Sequence, residues 1–428
     1  MSAVCWKCVD DQYLKEIIRE KGEIQECSEC DNRTAKAFTA YDLAEVCDPI
    51  FREHYSHGAQ VPQWGEDDST YYEQEGDPLS FHIQEVLGQS FSFDDEIVKA
   101  LIENDGAWPP DGEEPFFSDE VNYVPTTKSA PELYERWCFV EEDLKHSRRF
   151  FSSAAKELFE YLFRDVETRT YWDASEKKPM TVVRELPAGS ELFRARICHS
   201  NEDVKDALKD PYKKVGPPPP VRARAGRMNV DGVAVFYGAL DSDTCLAELR
   251  PTIGGEAAVI RVRTIRPLRL LDFTRIKDSY RVLSYFQPDF NKQVEKNRFL
   301  RHLENLISQP VRPGRESDYL ITQTMAEYLA HVHSEKNDGK LFQGELFDGL
   351  LFKSVQKTGG TNVVLFPKPK GETDNAFPLA YVDDSVTFFR TMTIEYKHDD
   401  MRLRLMEDGE IVQFSDGDEF DDENESAF

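Results

Sequence analysis

The sequence predicts an α+β protein with three parts: a small cysteine knuckle, a mainly helical domain, and a C-terminal domain built on a mixed β-sheet. Two cysteine pairs lie within the first 30 residues. Apolar residues follow three-four spacing before residue 180, whereas short runs rich in Val, Ile, Leu and Phe alternate with helical patterns after it. We therefore expect a knuckle at residues 1–35, a helical domain at 36–180, a sheet domain at 181–400 and an acidic tail at 401–428.

Composition limits the classes of function. The chain has 428 residues, of which 40% are apolar and 12% aromatic, so it can build more than one core. The net charge of −28 argues against general binding to nucleic acid or anionic membranes, although VRARAGR at 221–227 is locally basic. Neither a signal sequence nor an apolar run of about 20 residues is present, so we expect a soluble, cytoplasmic protein with no membrane partner.

The cysteine knuckle predicts a structural zinc site. Cys5, Cys8, Cys27 and Cys30 form two Cys-x-x-Cys pairs on either side of a helix-like spacer. Four thiolates at this spacing suit a closed tetrahedral zinc ion. Two alternatives stay open, namely a chance cluster of buried thiols and a redox dithiol, although no βαβ pattern surrounds either pair.

The helical region ends in its strongest pattern. The segment 130–163, APELYERWCFVEEDLKHSRRFFSSAAKELFEYLF, places apolar residues at three-four spacing from Leu133 to Leu162. It predicts a strong helical run that ends near Asp165. A polar link follows, which favours a domain boundary near residue 180.

The C-terminal region alternates strands and helices. Strands are predicted at VAVFYGAL, AAVIRVRTI, LRLLDF, GLLFKS and TNVVLF, and helices at DTCLAELRP, KQVEKNRFLRHLENLIS and YLITQTMAEYLAHVHSE. The last 14 residues, SDGDEFDDENESAF, are dense in Asp and Glu. They predict a disordered, solvating tail, with a partner-binding segment as the alternative.

Four ordered stretches carry the candidate site: ELFRAR, GRMNVDGVAVFYGALDSDTCLAELRP, YLITQTMAEYLA and FDGLLFKSVQKTGGTNVVLF. Together they resemble the RES domain, a family named for an Arg, a Glu and a Ser, some of whose members are NAD-degrading toxins. The preceding helices, with HSRRFF, resemble the HEPN-like region found before RES domains in some proteins. The resemblance implies a fold like that of ADP-ribosyltransferases, NAD as the substrate, and a helix-turn-helix antitoxin as a partner.

The resemblance implies four catalytic residues. Arg194 offers a planar fork for a phosphate, and Tyr237 offers a flat ring for the nicotinamide. Glu248 can stabilise a cationic ribose, and Ser354 can donate a hydrogen bond to a ribose or phosphate oxygen. Taken alone, each residue also has an ordinary structural explanation. Arg194 could lie on the surface of a strand, and Tyr237 could belong to the core. Glu248 could lie on a solvated helix face, and Ser354 could be a turn residue at the end of a strand. Their joint order favours one site.

Four further residues are candidates for binding NAD: Arg196, Arg227, Asn229 and Thr322. Arg196 competes with Arg194, because both point to the same face of an extended strand. We prefer Arg194 because it follows an aromatic residue, as the arginine of the family does. Thr324 is the alternative to Thr322.

These residues predict an NAD glycohydrolase or phosphorylase, which releases nicotinamide by attack of water or phosphate and acts as a growth-arresting toxin or phage-defence effector. Three alternatives stay open: a HEPN-type ribonuclease, an ADP-ribosyltransferase with a macromolecular target, and a partner-binding regulatory protein. For the ribonuclease, Arg52, His57 and His146 are the candidates. The sequence leaves the oligomeric state open, including a homo-oligomer.

Overall fold

The structure is a computed structural model. It describes residues 2–64, 70–105, 115–126, 132–280, 283–308, 316–333, 336–337, 340–341, 346–367, 376–394, 402–405 and 411–414. Within these ranges no helix combines the length and the apolar character that crossing a membrane requires. Most of the predicted acidic tail, including all of 415–428, lies outside the described residues.

The N-terminal region combines helices with short strands. Its elements are β1 (Ala3–Cys5), α1 (Gln12–Lys21), β2 (Glu23–Ile24), β3 (Lys36–Thr39), α2 (Ala40–His54), β4 (Tyr55–His57), β5 (Gln60–Trp64), β6 (Thr70–Gln74), β7 (Asp77–Pro78), α3 (Leu79–Leu87), α4 (Asp94–Asn104) and β8 (Asn122–Pro125). Helix α2 begins at a capping box in which Thr39 and Asp42 bond each other's backbone amides. The helical pattern predicted for this region missed the strands, which are too short to show a period of two.

The predicted helical run consists of two helices, α5 (Glu132–His146) and α6 (Ser153–Phe163), and it ends close to Asp165, as predicted. Helix α5 ends because the backbone amides of Ser147 and Arg148 both return to the Asp143 carbonyl. Helix α6 then starts afresh at Ser152, whose hydroxyl accepts from the Ala155 amide. The apolar spacing continued across this break, which is why periodicity alone did not reveal it.

The C-terminal region confirms the predicted alternation of strands and helices. Its elements are β9 (Thr170–Asp173), β10 (Lys178–Thr181), β11 (Val183–Leu186), β12 (Glu191–Cys198), α7 (Asn201–Lys209), α8 (Pro211–Val215), β13 (Phe236–Ala239), α9 (Ser242–Leu249), β14 (Glu256–Thr264), β15 (Leu268–Asp272), α10 (Phe273–Ile276), α11 (Phe290–Ser308), α12 (Leu320–His331), β16 (Lys336–Asn337), β17 (Lys340–Leu341), β18 (Gly349–Lys353), β19 (Thr361–Leu365), β20 (Leu379–Tyr381), β21 (Thr387–Arg390), β22 (Arg402–Leu405) and β23 (Ile411–Phe414).

One mixed sheet organises this region. Among the described residues its strand order is β11-β15-β18-β19-β13-β12-β14-β20, with β21 also paired to β14. Strands β15 and β18 run parallel, and the other pairs are antiparallel. Alternate residues face opposite sides: Leu350 and Val364 pack towards α5, α6, α11 and α12, whereas Leu351 and Val363 pack towards α7 and α8. The predicted α+β class with a mixed sheet is confirmed.

The buried apolar residues form clusters that each unite several elements. One cluster unites the cysteine knuckle with α2, α3 and α4, from Ala3 to Tyr123. Another unites α5 and α6 with α11, α12 and one face of the sheet. Helices α5 and α6 therefore share the core of the C-terminal domain. The boundary near residue 180 stays a prediction.

Candidate active site

A cavity of about 450 Å³ opens where β12, β13 and β19 lie side by side in the sheet. Small-molecule sites typically have roughly 300–1,000 Å³. The lining comes from β12, β13, β18, β19, the turn before β13, helix α9 with its C-terminal cap, and the residue before α12. These residues are Arg194, Ala195, Arg227, Tyr237, Gly238, Cys245, Glu248, Leu249, Arg250, Tyr319, Phe352 and Asn362.

Glu248 is a fixed carboxylate at this cavity. Helix α9 is set by Asp241, whose side chain caps it by accepting from the Thr244 amide, and Glu248 lies in its last turn. One carboxylate oxygen, Oε1, accepts two hydrogen bonds: from Ser354 Oγ at 2.6 Å and from Asn362 Nδ2 at 2.8 Å. These two donors hold the carboxylate in one orientation.

Ser354 is linked to the site by its hydrogen bond to Glu248. Its hydroxyl accepts from the backbone amides of Gln356 at 3.2 Å and Lys357 at 3.1 Å, so its proton is directed to the carboxylate. Lys357 in turn pairs with Asp241 at 2.8 Å and so ties this loop to the start of α9. Ser354 is not among the residues that line the cavity. These contacts fix the direction of its hydroxyl towards Glu248, and the catalytic role predicted for Ser354 stays a prediction.

Three arginines and one carboxylate give the cavity lining an excess of positive charge in an acidic protein: Arg194, Arg227 and Arg250 against Glu248. Arg194 donates Nε to the Val215 carbonyl at 2.9 Å and another nitrogen to the Tyr237 carbonyl. Burial lowers its pKa to about 10, so it remains charged near neutral pH. An anion that enters the cavity therefore meets guanidinium groups whose geometry the protein has already set.

Tyr237 presents its ring to the cavity and its hydroxyl to the protein. The hydroxyl donates to Asn229 Oδ1 at 3.0 Å and accepts from the Met228 amide at 2.8 Å. Burial raises the pKa of Tyr237 to about 12, so the phenol stays neutral. Its hydroxyl thus braces the turn before β13, while the ring forms a flat wall.

The four predicted binding residues lie in different places. Arg227 lines the cavity, with its guanidinium over the Tyr319 ring at 5.3 Å. Arg196 is exposed and donates to the Lys214 carbonyl at 2.8 Å, outside the cavity lining. The Asn229 amide donates to carbonyls of its own loop. Thr322 donates to the Arg227 carbonyl at 2.6 Å. The last two contacts support the turn that carries Arg227.

Sequence reasoning missed several lining residues. Asn362 is buried at 6% exposure and faces Ala239 and Phe352 on the strands beside it. It is the one polar residue inside the apolar run NVVLF, and a buried amide of this kind calls for a partner. Arg250 ends α9 in the left-handed region at φ 47, a conformation that non-glycine residues adopt mostly under local constraint.

Residues 191–385 match the model of the RES domain family. These residues form a RES domain. The resemblance carried by the four sequence stretches is thereby confirmed, and the family indicates a domain that acts on NAD and is related to toxins. No curated protein and no solved structure matched the chain. The match leaves out the N-terminal region, so the HEPN-like resemblance stays a prediction.

The four knuckle cysteines, well before the RES domain, meet in one cluster. The sulfurs of Cys5 and Cys8 are 3.8 Å apart, those of Cys5 and Cys30 are 3.8 Å apart, and those of Cys8 and Cys27 are 3.9 Å apart. A tetrahedral zinc ion with Zn–S bonds of about 2.3 Å requires sulfur separations of about 3.8 Å. A disulfide needs about 2.05 Å. The thiol geometry therefore fits a four-sulfur metal site.

The candidate ribonuclease residues are engaged in packing. Arg52 pairs with Asp48 at 2.7 Å and with Asp105 at 2.9 Å. His57 bonds the Phe116 carbonyl at 2.8 Å and lies on strand β4. His146, exposed on α5, contacts Glu142, one turn earlier. These contacts describe structural uses for all three, and ribonuclease activity remains an untested alternative.

Proposed function

We propose that the RES domain cleaves the bond between nicotinamide and ribose in NAD, with water or phosphate as the acceptor. Arg194 and Arg227 bind the pyrophosphate, because planar guanidinium groups pair with phosphate oxygens. The Tyr237 ring packs against the nicotinamide, where a flat apolar face is favourable. All three side chains line the cavity, and each is given a role that matches its chemistry.

Glu248 acts on the ribose. As the C1′–N bond breaks, nicotinamide leaves with the bonding electrons and positive charge develops on the sugar. A carboxylate about 4 Å from that charge contributes about 4 kcal/mol at an effective dielectric constant of about 20. A new C1′–O bond then forms. Water gives ADP-ribose and a proton, and phosphate gives the corresponding ADP-ribose phosphate ester.

The orientation of Glu248 by Ser354 and Asn362 carries this proposal. Two donors on one carboxylate oxygen leave the other oxygen, Oε2, for a sugar hydroxyl or the developing cation. A solvated glutamate on a helix surface needs no such support. The adjoining arginines supply the anion-binding half that a dinucleotide requires.

Product analysis tests the proposal. Purified protein is incubated with NAD, with and without phosphate, and the products are separated by mass spectrometry. We expect free nicotinamide from the wild type, none from Glu248→Ala, and normal release from the matched control His57→Ala, which lies outside the cavity. RNA breakdown lost in His57→Ala and retained in Glu248→Ala would support the ribonuclease alternative. Labelled ADP-ribose on a macromolecule would support the transferase alternative.

We further propose that Cys5, Cys8, Cys27 and Cys30 hold a structural zinc ion. The sulfur separations and the backbone amide of Cys5, which donates to Cys27 Sγ at 3.2 Å, support a closed thiolate site.

An enzyme that consumes NAD needs restraint in its own cell, so we also propose an inhibitory partner, with a helix-turn-helix antitoxin as the first candidate. Co-purification with the product of the neighbouring gene tests this.

A further inference from the structure

The turn that carries Arg227 is held from several sides. The Gly226 amide donates to the Asn229 carbonyl at 2.9 Å, and the Met228 amide donates to the Tyr237 hydroxyl at 2.8 Å. Gly226 has no room for a side chain, because a Cβ would lie 2.8 Å from Asn229 Oδ1 and 3.0 Å from the Tyr237 hydroxyl. The turn therefore has a fixed internal shape, and what remains to be set is its position relative to the cavity.

Helix α12 supplies that position through two consecutive residues. Gln323 donates Nε2 to the Gly226 carbonyl at 2.7 Å, and Thr322 donates Oγ1 to the Arg227 carbonyl at 2.6 Å. Both side chains are buried, at 6% and 4% exposure. Two neighbouring carbonyls of the turn are thus gripped by two neighbouring residues of one helix. We name Thr322 and Gln323 the α12 clamp.

Gln323 does not line the NAD cavity. Its side chain borders a second cavity of about 1030 Å³ on the other side of the turn, together with Ala225, Val230 and Leu320. Any influence of Gln323 on NAD must therefore pass through the backbone of Gly226 and Arg227. Loss of its amide would leave the Gly226 carbonyl, on a half-buried residue, without this donor.

We propose that the α12 clamp, and Gln323 in particular, is a positioning device that sets the affinity for NAD by fixing the place of the Arg227 guanidinium. The inference rests on the proposed function, in which Arg227 binds the pyrophosphate. Thr322 then acts on the turn and not on the ligand itself. Because the clamp grips backbone behind the arginine, it affects binding of the anion more than the bond-breaking step at Glu248.

Steady-state kinetics with NAD test the clamp. Gln323→Met keeps the side-chain length and removes the donor, and we expect its KM to rise about tenfold while kcat changes less than about twofold. Glu327→Gln is the matched control, because Glu327 lies one turn later on α12, borders the second cavity and leaves the turn untouched. It should keep both constants. Thr322→Val should raise KM in the same way, and Thr322→Ser, which retains the hydroxyl, should restore it.

A double-mutant cycle separates positioning from general stability. In an Arg227→Ala background, Gln323→Met should add no further rise in KM, because the group that it positions is gone. An unchanged KM in Gln323→Met, or full additivity with Arg227→Ala, overturns the inference. If Gln323→Met does not fold, the Thr322→Val and Thr322→Ser pair decides by the same criteria. Absence of NAD turnover in the wild type refutes the proposed function instead, so the two failures are distinguishable.

Discussion

Ser354→Ala is the perturbation that best isolates how Glu248 is held. The substitution removes the 2.6 Å hydrogen bond to Glu248 Oε1 and leaves the 2.8 Å bond from Asn362. It also removes the acceptor of the Gln356 and Lys357 backbone amides in the loop that follows. A hydrogen bond to a charged group contributes about 1.5–3 kcal/mol. Glu248 is exposed, so water replaces part of the loss, and we take the lower end. That value corresponds to a fall in kcat of about tenfold.

The assay is NAD turnover followed by nicotinamide release, with kcat and KM measured separately. Since Ser354 does not line the cavity, KM should change less than about twofold. Thr358→Ala, an exposed position in the same loop, is the matched control and should behave as the wild type. A kcat for Ser354→Ala within about twofold of the wild type, or a loss confined to KM, would refute the positioning role.

Three further predictions concern the rest of the chain. Cys5→Ser should reduce bound zinc from about one ion per chain and lower the melting temperature, as a chelator should in the wild type; a metal-free wild type contradicts this. Burial lowers the pKa of Lys296 to about 8 in the folded protein, although the nearby charge of Asp165 acts in the opposite direction. Above that pH the unfolded chain therefore binds more protons than the folded protein does. Stability should therefore rise from about pH 8 to about pH 10.4, and urea titrations of Lys296→Met should show a flatter profile. A fragment of residues 127–428 should unfold cooperatively by circular dichroism, whereas 181–428 should not, because it lacks the α5 and α6 part of the core; cooperative unfolding of 181–428 would contradict the shared core.

Much of the C-terminal fold was predictable because its elements have strong local signals. Apolar runs such as 361–366 became strands, and α9 follows its capping residue Asp241. The order of motifs also predicted which candidate side chains lie close together: Arg194, Tyr237 and Glu248 line one cavity, and Ser354 donates a hydrogen bond to Glu248.

Roles that depend on long-range contacts were not predictable. Sequence alone suggested that Thr322 touches the ligand, and only the fold shows that its hydroxyl donates to the backbone carbonyl of Arg227, far away in the chain. The binding role of Thr322 stays a prediction. Asn362 was overlooked because its partner, Glu248, lies 114 residues away in the chain. A hydrogen bond across that separation leaves no periodic trace in either segment.

Packing across residue 180 was also not predictable from composition. The polar link near residue 180 has the composition of a boundary, yet Trp137 and Phe159 on the earlier side pack with Phe299 and Tyr328 on the later side. A polar composition indicates that a linker is exposed to solvent, but it does not indicate which hydrophobic core the helices on either side of it pack into. The association of α5 and α6 with the sheet domain therefore required the packing itself.

The most direct test of the central proposal is the rate of nicotinamide release from NAD by Glu248→Gln. Glutamine keeps the size of the side chain and an oxygen for the two donors, but it removes the negative charge. About 4 kcal/mol of lost charge stabilisation predicts a fall in kcat of about a thousandfold, with the melting temperature unchanged. A Glu248→Gln protein that releases nicotinamide at the wild-type rate would contradict a carboxylate-stabilised cleavage at this site.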